Sequence, residues 1–257
     1  MRSNAQENST PPRKRGKTVV AVILLLLAAL AAGYWFCLSP TAQYRQGMAL
    51  HYEHRYRKAA ECFRKAAEAG LPEAQFQLGY CYYHELGVPH DPYTAVNWFR
   101  KAAAQGNADA QKLMGYCYRF GRGVPQDKDE AARWYSQAWE TALILASEDD
   151  DAHAQYLCGQ LRSMCGDKES AARWYRRSAE KGDPDGQYCL AHFYECGFGG
   201  LPEDPFTAVE WYRKAAEQGH SEAQYSLALC YEHGTGVAKD LTLAREWARK
   251  SEAHDGE

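Results

Sequence analysis

Apolar positions recur along this chain at a fixed spacing. In Ala208–Gly219 (AVEWYRKAAEQG) they fall at Ala208, Trp211, Tyr212, Ala215 and Ala216, with Glu210, Arg213, Lys214 and Glu217 between them. That is the i, i+3, i+4, i+7, i+8 pattern of one helical face. Gly219 follows, where a left-handed residue ends a helix. The same text returns at Ala95–Gly106, Ala59–Gly70 and Ala171–Gly182, and in shorter form from Ala131 and Ala244. Four residues before the first alanine stands an aspartate in five copies: Asp91, Asp127, Asp167, Asp204 and Asp240. A carboxylate there caps the first free N–H groups. Pro92 and Pro205 follow two of these caps, at a position where a missing N–H costs nothing. Such self-similarity predicts a repeat array, and this segment is its helix B.

A second mark is the pair Ala-Gln, at Ala42-Gln43, Ala74-Gln75, Ala110-Gln111, Ala154-Gln155 and Ala223-Gln224, with Gly186-Gln187 as a variant. It predicts the opening of a second amphipathic helix, helix A. Glycine at Gly47, Gly79, Gly115 and Gly159 lies inside that helix. A mid-helix glycine costs about 1 kcal/mol against alanine, so a close approach of two helices is the reason to expect. Six antiparallel A–B hairpins follow, near 41–70, 71–106, 107–150, 151–182, 183–219 and 220–257. Their A–B loops carry Gly87-Val88, Gly121-Arg122-Gly123-Val124, Gly197–Leu201 and Gly234-Thr235-Gly236-Val237. In the third hairpin helix B is expected to run on to about Ala146, before the acidic stretch 148–151.

The amino-terminal region differs in kind. Residues 1–17 are polar and basic, with Arg2, Arg13, Lys14, Arg15 and Lys17 against Glu7. They read as a disordered tail. Residues 18–38 (TVVAVILLLLAALAAGYWFCL) contain no charge, and a helix of about 20 such residues spans a bilayer. Tyr34 and Trp35 suit the interfacial belt, and the basic flank places the tail in the cytoplasm. The body, 41–257, is then expected on the far side, periplasmic in a bacterium or lumenal in a eukaryote. The rival reading is a cleaved signal peptide, with Ala29-Leu30-Ala31 as its site. Apolarity continuing to Leu38 favours the anchor.

Formal net charge is -3, which leaves -7 on the chain after residue 17. An acidic body argues against a nucleic-acid surface. No C-x-x-C, H-E-x-x-H, phosphate loop or dinucleotide fingerprint is present. No cofactor is expected, and the Gly-x-Gly turns join two helices rather than a strand to a helix. His51 and His54 could share a helix face, without further ligands beside them.

Stretches such as EAQYSLALCYEHGTGV (Glu222–Val237), together with WYRKAAEQG, resemble the SEL-one-like repeat family, a branch of the tetratricopeptide-repeat superfamily. The resemblance covers about 71–250 and is weaker over 41–70. It implies an all-α, right-handed α-solenoid of about six helix-turn-helix repeats, here after one transmembrane helix, whose concave face binds a protein or peptide. Stability in such stacks is shared between neighbours. The expected role is a membrane-anchored scaffold without enzymatic activity.

Secreted cysteine-rich relatives are associated with β-lactam binding or hydrolysis, so a cell-wall-related or β-lactam-hydrolysing enzyme is the alternative. Ser178-Ala-Glu-Lys181 matches the S-x-x-K of serine β-lactamases. Ser178 nevertheless fills the slot of Ala102 and Ala215, and no K-T-G or S-D-N partner lies in the body. The paired cysteines of those relatives are also missing: their slots hold residues such as Ala103 and Gln111.

Of nine cysteines, Cys81, Cys117 and Cys230 share one helix-A slot that suits a small buried side chain. Cys158/Cys165 and Cys189/Cys196 lie at near-equivalent places in neighbouring repeats. A Cys158–Cys189 or Cys165–Cys196 bridge is the expectation if the far side is oxidising.

Helix-A positions two, six and nine after the alanine lie opposite the core stripe. Position two is often aromatic, as packing between repeats requires; positions six and nine vary, as recognition requires. Tyr80, Tyr83, Tyr116 and Arg119 form the expected centre of binding, with Gln160 and His192 further along.

Overall fold

A computed structural model describes residues 39–252; the expected tail at 1–17 and anchor at 18–38 lie outside the described residues, as do 253–257. Among the described residues no helix is long and apolar enough to cross a membrane, and none forms a strand.

The described chain is twelve helices in six successive hairpins. Helix A of each is α1 (Pro40–Tyr52), α3 (Pro72–His84), α5 (Ala108–Phe120), α7 (Ala152–Met164), α9 (Pro184–Cys196) and α11 (Ser221–His233). Helix B is α2 (Tyr56–Glu68), α4 (Pro92–Ala104), α6 (Lys128–Glu148), α8 (Lys168–Glu180), α10 (Pro205–Glu217) and α12 (Leu241–Glu252). Each helix packs on its hairpin partner and on the next helix in sequence. The result is the α-solenoid the sequence predicts.

The five aspartates cap helix B as expected. Asp91, Asp127, Asp204 and Asp240 each accept from two backbone N–H groups, and Asp167 accepts from Ser170. Helix A has caps that the sequence reading passed over. Asn107, Asp151 and Asp183 take the N–H three residues on, and His220 does so through Nδ1.

The core runs as a series of clusters along the stack, in which alanines surround single rings such as Phe63, Phe99 and Tyr212. Ala208, Val209, Tyr212, Ala215 and Ala216 of α10 are buried together with Ala223, Leu227 and Cys230 of α11. The helix-A glycines admit a ring from helix B: a Cβ on Gly159 would lie 2.5 Å from Tyr175, and one on Gly79 2.7 Å from Phe99. The expected close approach is therefore helix against aromatic side chain, within one hairpin.

Between hairpins, the glutamine of the Ala-Gln mark acts as a clamp. Gln75, Gln111, Gln187 and Gln224 are buried, and each donates Nε2 to the carbonyl of Ala67, Ala103, Ala179 or Ala216 in the preceding helix B. Gln155 does the same to Ala146, in the extension of α6. The acidic stretch after α6 is more than solvated linker. Asp151 caps α7, while Asp150 pairs with Lys181 and accepts from Gln155.

The loop glycines join hairpins too. A Cβ on Gly123 would lie 2.2 Å from the carbonyl oxygen of Pro92, and one on Gly236 2.0 Å from that of Pro205. Both belong to the first turn of the preceding helix B.

Candidate functional site

The A helices line a groove of about 760 Å³ that runs from the first hairpin to the fifth. Tyr44 of α1, Phe76 and Tyr80 of α3, Lys112 of α5, and His153 and Tyr156 of α7 all face it. Burial first, and then the carboxylates of Glu222 and Asp185, push the Tyr80 phenol above its ordinary pKa. Those carboxylates belong to the fifth and sixth hairpins, so their field reaches across the groove to the second. Tyr156 is raised in the same way, by burial and then by Asp185.

The expected binding residues do not all come together. Tyr83 meets Tyr116 edge-on at 6.5 Å, and Tyr116 packs on Phe120 at 4.6 Å, which joins α3 to α5. Gln160 accepts from Lys112 Nζ at 2.7 Å and donates to Tyr156, two residues of the groove lining, without lining the groove itself. Gln160 and Tyr116 also border one smaller depression. Arg119 turns the other way. Its guanidinium lies 5.5 Å from Phe120, and it lines a separate hollow with Tyr135, Trp139 and Arg162. His192 is exposed and pairs with Glu195 and Cys196 on its own helix.

An ionic network along the groove edge was not anticipated. From the second hairpin on, the residue just before the Ala-Gln mark or its Gly-Gln variant is Glu73, Asp109, His153, Asp185 or Glu222. His153 is the one basic member of this acidic row. Its Nε2 lies 2.9 Å from Asp109 Oδ2. Its Nδ1 lies 3.6 Å from Asp183 Oδ2 and 3.9 Å from Asp185 Oδ2. Lys112 holds the other oxygen of Asp109 at 3.3 Å. His220 Nε2 lies 3.2 Å from Asp185 Oδ1, and its ring stacks on Tyr188. Burial opposes a charge on His153, but Asp109 and Asp183 outweigh it and raise the pKa to about 10. Asp109 moves the other way, to about 2: burial raises it, but His153 and Lys112 prevail. The sequence signal for this network was the break in an acidic column, visible only once the Ala-Gln marks are aligned.

Among the described residues, two groups of side chains have metal-ligand chemistry. One is His153 with Asp183 and Asp185; the other is His192 with Glu195 and Cys196. In the second, Tyr212 donates to Glu195 Oε2 at 2.7 Å.

The tetrad suggested for hydrolysis presents no nucleophile. Ser178 is fully buried, its hydroxyl without a hydrogen-bond partner, and Lys181 is engaged by Asp150. All eight described cysteines are free thiols, so neither expected bridge is formed. Cys158 is packed among Ala142, Ala154 and Leu157, whereas Cys189 belongs to the next cluster, beside Tyr175.

Six consecutive segments, 40–71, 72–107, 108–139, 152–183, 184–220 and 221–255, match the family described as Sel1 repeat. The chain belongs to the Sel1 repeat family. Its matched units follow the hairpins, and the interruption at 140–151 is the extension of α6 with the turn after it. A Sel1 repeat protein from Oxalobacter formigenes is 33% identical, over 82% of each chain, at a TM-score of 0.49. A protective antigen of uropathogenic Escherichia coli with an SLR fold is 34% identical over 85% of this chain and 54% of its own, at a TM-score of 0.39. An immunity protein from Pseudomonas aeruginosa shares the fold at a TM-score of 0.56, with 20% identity over 84% of this chain and 82% of that one. Among curated proteins no match is found. Sel1 repeats commonly serve as scaffolds for protein–protein interaction, and this chain carries six such repeats.

Proposed function

We propose that this Sel1 repeat protein is a membrane-anchored scaffold that captures an extended segment of a partner protein along the A-helix groove. The observation that carries the proposal is the groove itself. Phe76 and Tyr80 of the second hairpin and Tyr156 of the fourth line it, with Lys112 of the third between them, and Gln160 bonds to both Lys112 and Tyr156. Aromatic side chains give large contact area at small entropic cost, which suits them to binding centres. Residues 18–38, apolar and without charge, support the anchor; the repeats would then lie beyond the membrane, periplasmic in a bacterium.

The experiment is site-specific photocrosslinking from the full chain in its native membrane. A photoreactive residue at Gln77, in the groove, is expected to trap a discrete partner. The same residue at Glu210, on the exposed side of α10, is expected to trap none. Tyr80→Ala combined with Tyr116→Ala should abolish the Gln77 adduct while circular dichroism stays unchanged. Equal crosslinking from both positions would overturn the assignment of the face. Protease accessibility of the repeats in right-side-out and inverted vesicles tests the topology separately.

A further inference from the structure

We propose that His153, Asp183 and Asp185 form a binding site for one divalent transition-metal ion of the Zn²⁺ or Mn²⁺ class, joining α7 to α9 at the edge of the groove. Their ligand atoms, one imidazole nitrogen and two carboxylate oxygens, all lie within 4.8 Å of one another. The Nδ1 distances of 3.6 and 3.9 Å exceed those of good hydrogen bonds. They are near the separation of roughly 3.4 Å that two ligands keep when each is about 2.1 Å from a tetrahedral ion. Small side-chain rotations close the difference.

The surroundings favour a ligand role for this histidine. A metal-binding imidazole usually donates its other N–H to a carboxylate, which fixes the tautomer and aims the lone pair. Asp109 does this for His153 at 2.9 Å. Asp109 in turn is held by Lys112, so it serves His153 rather than the ion. The two proposed carboxylates are also oriented from behind. Asp183 Oδ1 accepts from the N–H of Gly186 at 2.7 Å, leaving Oδ2 for the ion. Asp185 Oδ1 lies 3.2 Å from His220 Nε2, leaving its Oδ2 likewise. His153 and Asp185 border the groove, which leaves water or a partner's side chain to complete the coordination. One nitrogen and two hard oxygens suit Zn²⁺ or Mn²⁺ better than Cu⁺. The His192, Glu195 and Cys196 group is the weaker candidate, because all three residues are exposed on one helix and bind nothing together across repeats.

The test is calorimetric titration of the purified full chain, stripped of metal by chelator, with Zn²⁺ and separately with Mn²⁺ at neutral pH. The expected result is a single saturable site with a submillimolar or tighter Kd and a higher melting temperature with metal. Asp185→Asn and His153→Gln should each weaken it at least about tenfold. Glu195→Gln with Cys196→Ser should leave it unchanged. Co²⁺ bound to the wild-type chain should show no thiolate charge-transfer band, a readout that needs no variant. No saturable binding to the wild-type chain, wild-type affinity in His153→Gln, or a thiolate band would each overturn the proposal. Partner capture from Gln77 is read independently, so either idea can fail alone.

Discussion

The hydroxyl of Ser178 occupies the place that a methyl on Gly186 would fill: a Cβ built on Gly186 would lie 2.1 Å from Ser178 Oγ. In other hairpins both slots hold alanine, as in Ala66 with Ala74 and Ala102 with Ala110. One side chain grew by an oxygen and the facing one lost its methyl.

This pairing predicts strong coupling. Gly186→Ala alone should destabilise the chain by about 1–3 kcal/mol through overpacking. Ser178→Ala alone should change stability by less than about 1 kcal/mol, since it removes a buried hydroxyl that has no partner. The double variant should recover at least wild-type stability. Urea denaturation of the four proteins checks this, and additive effects would refute the pairing.

The glutamine clamps are not equivalent. Gln187 donates to Ala179 and accepts from Gln218 at 2.8 Å, whereas the Oε1 of Gln111 is buried without a partner. Gln187→Leu is therefore expected to cost about 1–3 kcal/mol. Gln111→Leu should cost less, because it also removes an unsatisfied oxygen. Thermal melts in which the order is reversed would contradict this reading.

Two glycines separate backbone strain from contact. Gly106 and Gly123 both have positive φ, +84° and +72°, but only a Cβ on Gly123 meets a neighbour. Gly106→Ala should show the left-handed penalty alone, about 1–2 kcal/mol. Gly123→Ala should lose clearly more, since the carbonyl of Pro92 cannot turn aside. Matching denaturation midpoints for the two variants would remove the loop from the inter-hairpin interface.

Thiol chemistry should sort by burial. Cys165 and Cys196 are exposed, while burial pushes Cys81 up to about 12 and Cys117 up to about 11. The thiolate is the reactive form, and its fraction falls as pKa rises above the working pH. Alkylation of native protein near neutral pH should modify Cys165 and Cys196 first. Labelling of Cys81 and Cys117 should wait for denaturant, and in native protein rise with pH up to those values. Peptide mapping without reductant reads both this and the free state of the thiols; prompt labelling of Cys81 would contradict the packing.

The sequence made the hairpins legible because local rules governed them: an aspartate before five of the six B helices, a period of 3.6, and a glycine after four of them. It also pointed to Tyr80, which lines the groove, since position along helix A sets which face a residue takes. Arg119 escaped that logic. It is one residue from the end of α5, and its guanidinium lies beside Phe120 and lines the hollow with Tyr135 and Trp139. The His153 network escaped for a different reason. Asp109 lies 44 residues before His153 and Asp185 lies 32 after it, so only the stacking of successive hairpins brings them together. Ser178 and Gly186 were each visible as departures from the repeat, but their facing was not.

The clamp at Ala146 bears on how such chains change length. In α6 the carbonyl that receives Gln155 belongs to Ala146, whereas the second alanine of the ordinary repeat would fall at Trp139. Seven residues separate the two, very nearly two helical turns, so the added segment brings an acceptor back to the same side. Insertions in helix B of this architecture are thus restricted to multiples that restore the angular phase. Other lengths would aim the following hairpin in a new direction, and with it the ring faces and charges on which recognition depends.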